Sequence, residues 1–333
     1  RSLRVPSYCK DSSLESVIKE SPLLSTTNME QLLDSLGLEI LDYKDKIEKY
    51  GFTLDEHIKR DELIYNNDFI KFYEEIKQDV VDNSNKELKE LIKYLKQFDF
   101  SKKIAIVDIG WGGSMQKNLI QTLNNQGISN DITGYYLGLS KKSKQNLGAN
   151  GYKAKGYLFD CLNNDTDTDI VIAFRPLFET LFLEQAGSVK CYETQKDGKT
   201  ISVRYEYEYV KDKELSHEAK KVLNIQTGAV DFVRAFKDSK VSAYINSDKE
   251  ILFKYIYETG TNPNMEDVRR FGDFIFFNNG CGNYLAKPQK LRKYIVNPKM
   301  CLSDLSESQW KLGFLKYIIK VPFPYLRLYL MLH

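Results

Sequence analysis

Charge of one sign is what this sequence most plainly lacks: Lys and Arg number 48 and Asp and Glu 46, a formal net charge of +2 over 333 residues. Such a balance excludes a dedicated nucleic-acid binder and a solvated charged tail, and leaves any steering of a ligand to local groups. Cysteine is sparse as well. Cys9, Cys161, Cys191, Cys281 and Cys301 stand far apart without a C-x-x-C pair, and their odd number leaves one unmatched in any disulfide scheme. A reducing cytoplasm suits them. The three histidines, His57, His217 and His333, are equally isolated, so no zinc-ligand spacing exists and no structural metal is expected. No stretch approaches the roughly 18 consecutive apolar residues of a membrane span. The opening Arg1-Ser2-Leu3-Arg4-Val5-Pro6 has neither an initiator Met nor the apolar run of a signal peptide, so the chain reads as a piece of a longer protein. No internal repeat is visible.

What is present suffices for a sizeable core. Apolar residues make up 42% and aromatics 13% of the chain, and a chain of this length buries about three quarters of its extended surface on folding. Residues 1–50 carry helical spacing, with Leu32, Leu33, Leu36, Ile40 and Leu41 behind Ser and Thr caps. From Leu54 to Phe98 apolar residues recur every three or four positions, which predicts two or three amphipathic helices. The polar break Asp82-Asn83-Ser84-Asn85 predicts an N-cap for a helix starting near Lys86.

The period then changes. Lys103-Ile104-Ala105-Ile106-Val107-Asp108-Ile109 is a short apolar, β-branched run that predicts a buried parallel strand. Gly110-Trp111-Gly112-Gly113-Ser114 follows and leads into a helix over Met115–Asn124, ended by Gly127, before a strand over Ile132–Leu139. Strand, glycine loop, helix and strand make one βαβ unit of a doubly wound sheet. Downstream, Ser140–Ala149 reads as a polar loop, Tyr157-Leu158-Phe159 as a strand and Pro176–Glu184 as a helix. Residues 188–210 alternate around Asp197-Gly198, a hairpin signal. Helical spacing returns over His217–Phe236, over Ser247–Tyr257 and near Met265. The expected fold is α/β, a Rossmann-like, mostly parallel sheet with a helical N-terminal layer and an antiparallel hairpin. The expected organisation is a helical segment over 1–100, an α/β domain over 101–300 and an aromatic, basic segment over 301–333.

Chemistry concentrates at the glycine loop. A glycine-lined turn from strand to helix lets main-chain N–H groups approach an anion, and the helix dipole adds partial positive charge there. The phosphate of a sugar or nucleotide would suit Gly110, Trp111, Gly112, Gly113, Ser114 and Gln116. A plain tight turn is the alternative, because G-x-G-G-S is neither the dinucleotide fingerprint nor the Lys-bearing P-loop. Asp108, at the carboxyl end of the strand, could orient a hydroxyl or act as a base, or it could cap the loop. Glu179 is either a substrate-facing acid or the partner of Arg175 four residues earlier. Asp165, Asp167 and Asp169 suit a solvated loop better than a divalent-ion site. Gln226-Thr227-Gly228-Ala229 puts small residues in mid-helix, where another segment could approach closely, with Asp231 facing it or solvent. Trp310–Leu332 mixes Lys311, Lys316, Lys320 and Arg327 with aromatics, a composition that suits a membrane interface or a core.

The run Ile106-Val107-Asp108-Ile109-Gly110-Trp111-Gly112-Gly113-Ser114-Met115-Gln116, with Gly134-Tyr135-Tyr136-Leu137-Gly138, Phe178-Glu179 and Gly187-Ser188-Val189 downstream, resembles the C-terminal region of large bacterial proteins described as hydrolases of the haloacid dehalogenase superfamily. The resemblance spans roughly residues 30–240. Such proteins occur with genes for capsule and O-antigen synthesis, some fused to glycosyltransferase modules. The resemblance implies a cytoplasmic role in surface-polysaccharide assembly alongside other assembly enzymes, and the composition of Trp310–Leu332 adds peripheral contact with the inner face of the membrane. The family's hydrolase motifs belong to an N-terminal domain, and no strand here ends in D-x-D-x-T or D-x-D-x-V, so phosphatase activity is not expected. The expectation is a domain that binds a nucleotide sugar or sugar phosphate, as a transferase with Asp108 and Glu179 as its catalytic pair. The alternative is a noncatalytic module that positions a hydrolase or glycosyltransferase. Neither a cofactor nor a nucleic-acid partner is implied.

Overall fold

The computed structural model describes residues 1–21, 23, 26–164, 171, 173–240, 249–278, 281–321 and 323–332. It is a mixed α/β structure, 52% helix. The chain forms two compact units, neither continuous in sequence. Residues 1–104, 115–131 and 186–207 make the first, and residues 105–114, 132–185 and 208–333 the second.

The spine of the first unit is the 29-residue helix Asn67–Leu95. Asn66 starts it, its side-chain oxygen accepting the N–H groups of Asp68 (3.0 Å) and Phe69 (2.9 Å). Phe69, Phe72, Tyr73, Ile76, Val80, Leu91, Ile92 and Leu95 form its buried face. The break expected at Asp82–Asn85 does not occur. Ser84 Oγ donates to the Val5 carbonyl (2.7 Å) and accepts the Cys9 N–H (2.8 Å), while Asn83 Nδ2 donates to the Gly37 carbonyl (3.0 Å). These side chains bond to neighbouring segments instead of competing for their own backbone, so the helix runs through. Short helices Leu14–Glu20, Met29–Leu36 and Lys44–Lys49 pack Val17, Met29, Leu33 and Ile47 into the same core.

The expected hairpin also lies in this unit: Val189–Thr194 pairs antiparallel with Thr200–Arg204. Its turn closes through Gly198 N–H to the Gln195 carbonyl (2.9 Å), with Gly198 at φ +84, a conformation that favours glycine. Tyr192 packs at a tilt against Tyr94 of the long helix, ring centroids 4.4 Å apart, and Gln97 Nε2 donates to the Thr200 carbonyl (2.8 Å).

The parallel sheet has three strands, Lys103–Asp108, Asp131–Leu139 and Lys153–Asp160, in that spatial order. Four two-stranded antiparallel pairs complete the strands among the described residues. The βαβ unit is as the sequence suggests, with helix Ser114–Asn125 ended at Gly127 (φ +65) as Ile128 N–H reaches back to the Leu123 carbonyl (3.0 Å). The first strand is not buried. It alternates, and Val107 is 84% exposed. An unbroken apolar run reads as two-sided burial, but only the side carrying Ile104, Ile106 and Asp108 is shielded. The expected loop after Ser140 contains helix Lys142–Asn146 and a 3-10 turn over Gly148–Asn150.

The rest of the second unit packs around Phe174, Val268, Phe274, Leu285, Trp310 and Phe314. Trp310 is fully buried and donates Nε1–H to the Gly260 carbonyl (2.9 Å). Much of the stretch read as suited to a membrane interface is therefore core, because Leu312, Phe314, Leu315 and Tyr325 are buried with it. Helix His217–Lys237 buries only Ala219 and Val222. Among the described residues nothing lies within 4 Å of a Cβ built on Gly228, so none of them approaches its small residues, and Asp231 faces solvent beside Arg234 (3.4 Å). Residues 165–170, with the acidic run Asp165, Asp167 and Asp169, lie outside the described residues. Among the described residues no helix is long and apolar enough to cross a membrane.

Candidate functional site

The strand Lys103–Asp108 ends at the carboxylate on which the glycine loop is built. Asp108 Oδ1 accepts the Gly110 N–H (2.7 Å), so Asp108 caps the loop and occupies the first of its amides. The next two carbonyls are held as well. The Trp111 carbonyl accepts both the N–H (2.8 Å) and the Oγ–H (3.0 Å) of Ser140, and the Gly112 carbonyl accepts Asn146 Nδ2–H (2.7 Å). Gly113 has φ +69, and a Cβ there would lie 2.4 Å from Leu147 Cδ1, so the turn requires glycine at this position. Leu147 takes much of the space beside the loop. Ser114 is exposed at the helix start, while Gln116 is fully buried on the packed face with Ile120 and Leu123.

Trp111 joins this loop to Glu179. Its ring stacks on Phe159 (5.4 Å, 7° between planes) and meets Phe178 edge-on (6.0 Å), while Nε1–H donates to Glu179 Oε1 at 2.9 Å. Glu179 lies on the short helix Arg175–Thr180, where Arg175 Nε stands 3.5 Å from Oε1. The structure thus brings together Asp108, Gly110, Trp111 and Glu179, and the internal Arg175–Glu179 pair is present too. Burial raises the Glu179 carboxyl above its ordinary range, the Asp108 charge adds to that, and Arg175 and the indole bond pull the other way. Asp108 also acts on Tyr136, whose hydroxyl is raised mainly by burial and further by that charge. Glu179, its carboxyl raised, thus lies within reach of the Asp108 charge, bonded to the Trp111 indole and paired with the Arg175 guanidinium.

Sequence reading missed the Trp111–Glu179 bond, because a contact spanning 68 residues leaves no local signal. It also missed Ser140 and Asn146, which sat in an assumed loop. Arg175 was visible only as a helix partner. Two concavities lie away from the loop and neither is lined by Gly110–Ser114. One of about 400 Å³ in the first unit has Lys10, Glu20, Lys117 and Gln121 in its wall, and one of about 630 Å³ in the second has Tyr135, Tyr152 and Lys155. Among the described residues no three His, Cys, Asp or Glu gather as metal ligands. No protein-family model matches the chain, and no curated protein matches it.

Proposed function

We propose that the second unit binds a phosphorylated sugar or nucleotide sugar beside the Gly110–Ser114 loop and serves surface-polysaccharide synthesis at the cytoplasmic face of the membrane. The observation that carries this reading is Glu179, a half-buried carboxyl that desolvation raises and that accepts the Trp111 indole N–H in the loop at the carboxyl end of a parallel strand. Crevices outside the carboxyl ends of parallel strands are where open α/β sheets take their ligands. The finer fold reading, a Rossmann-like sheet, belongs to the same proposal and rests on the strand–loop–helix–strand order.

In this reading the remaining loop amides and the helix start stabilise phosphate charge, and Arg175 offsets the repulsion from Asp108. Glu179 acts as the proton donor or acceptor, and Asp108 orients an acceptor hydroxyl, which makes the domain a transferase. A second reading, a noncatalytic module that positions another assembly enzyme, draws support from the mutual bonding of Asp108, Ser140, Asn146 and the loop. A thermal-shift screen of nucleotide sugars and sugar phosphates separates the two. A ligand that binds only the folded form stabilises it by about 2.7 kcal/mol at a hundred times its Kd. The first reading expects a raised midpoint for at least one compound, reduced in Glu179→Gln. The second expects none. Gly113→Val is unsuitable as a probe, because the new side chain would collide with Leu147.

A further inference from the structure

Residues 287–302 carry a surface that the proposed site does not use. Between Phe274 and Asp304 the sequence has no Asp or Glu, yet it holds five cations, Lys287, Lys290, Arg292, Lys293 and Lys299. All five are exposed, and among the described residues none is ion-paired. Interleaved with them are apolar side chains turned to solvent: Leu291 at 56% exposure, Ile295 at 74%, Val296 at 86% and Leu302 at 64%.

The outward face is fixed from beneath. Leu291 and Ile295 lie one turn apart on the helix Leu291–Val296. The buried Tyr294 between them donates its hydroxyl proton to Asp304 (2.6 Å) and accepts the Gln289 N–H (2.7 Å). The helix cannot roll to hide its apolar residues without breaking both bonds. Lys287 lies over the Tyr284 ring (4.6 Å) and Lys293 donates to Gln289 (3.3 Å), but among the described residues none of the five cations meets a carboxylate, and exposed aliphatic side chains grouped with cations mark an interaction surface.

We infer that this surface docks on an anionic lipid bilayer, with the cations at the headgroups and Leu291, Ile295, Val296 and Leu302 entering the acyl boundary. Charge complementarity selects this occupant. A second copy would set five cations against five. A nucleic acid would satisfy the cations but leave the aliphatic side chains without a partner, whereas an anionic membrane interface satisfies both. The contact is peripheral.

Cosedimentation of the chain with vesicles tests this. Vesicles of phosphatidylcholine mixed with phosphatidylglycerol should carry the chain down, and vesicles of phosphatidylcholine alone should not. Binding should largely vanish near 1 M salt, where the screening length falls to ~3 Å. Each cation near an anionic surface contributes about fivefold in affinity, so the triple variant K290E/R292E/K293E should bind roughly a hundredfold more weakly or worse. Ile295→Ser with Val296→Ser keeps every charge and should also release the chain. Both variants alter exposed positions, and unchanged melting midpoints show that they fold. In Ile295→Trp, tryptophan emission should shift to the blue with the anionic vesicles alone. The inference is overturned if the chain ignores phosphatidylglycerol vesicles or binds both kinds equally. It is also overturned if the variants sediment like wild type, or if they abolish DNA binding or self-association in a chain that never binds vesicles.

Discussion

The helix Asn67–Leu95 buries nine side chains along its 29 residues, whereas the 21-residue helix His217–Lys237 buries Ala219 and Val222 and leaves Phe232 67% exposed and Val233 62% exposed. Both show apolar residues at helical spacing, and both begin at a side-chain cap, Asn66 in one and Ser216 in the other. What separates them is the rest of the molecule. Segments from residues 1–50 close over the first, and among the described residues nothing comparable is packed over the last three turns of the second. Periodicity therefore defines a stripe without saying what covers it, and only covered stripes contribute to stability.

Substitutions on the two helices should separate by size of effect. Phe72→Ala should cost about 3–5 kcal/mol in urea unfolding, as truncating a fully buried aromatic does. Phe232→Ala should stay within about 0.5 kcal/mol. Equal losses would mean that the second helix is covered in solution. The polar positions should follow the same order. Ser84→Ala leaves the Cys9 N–H without its acceptor, removes one of the two bonds to the Val5 carbonyl, and should cost about 1–3 kcal/mol. Thr227→Ala removes only an exposed bond to the Leu223 carbonyl and should be near neutral. The caps should not differ, because a cap acts locally: Asn66→Ala and Ser216→Ala should each cost about 1 kcal/mol.

The smallest effect concerns pH. The folded chain holds the Glu179 proton more tightly than the unfolded chain does, since burial raises that carboxyl. At the acid end both states are protonated, and Glu179→Gln should match wild type. As pH rises past the ordinary carboxylate range, wild type loses stability that the glutamine variant keeps, so the difference in melting midpoint should widen from about pH 4 upward. A constant difference would show that Glu179 titrates as a solvated carboxyl.

Elements set by local rules were legible in advance. The hairpin at Asp197-Gly198 and the helix ended by Gly127 follow from turn chemistry, and both are where the residues suggest. The readings that failed depended on remote partners. Asn83 and Ser84 look like a helix break until Gly37, Val5 and Cys9 are placed beside them. Trp310 suits an interface or a core equally by composition, and only the remote Gly260 carbonyl that accepts its N–H places it in the core. The candidate site divides along the same line: the loop could be read from its glycines, and the Trp111–Glu179 bond could not.

The chain contains two tryptophans, and each indole N–H has its own acceptor, Glu179 for Trp111 and the Gly260 carbonyl for Trp310. A proton–nitrogen correlation spectrum therefore carries two indole signals, one at the candidate site and one in the core as a reference. Titrating a panel of nucleotide sugars and sugar phosphates should move the Trp111 signal to saturation with at least one compound and leave the Trp310 signal in place. A Trp111 signal that stays fixed through an excess of every ligand, or moves no more than that of Trp310, would contradict the account.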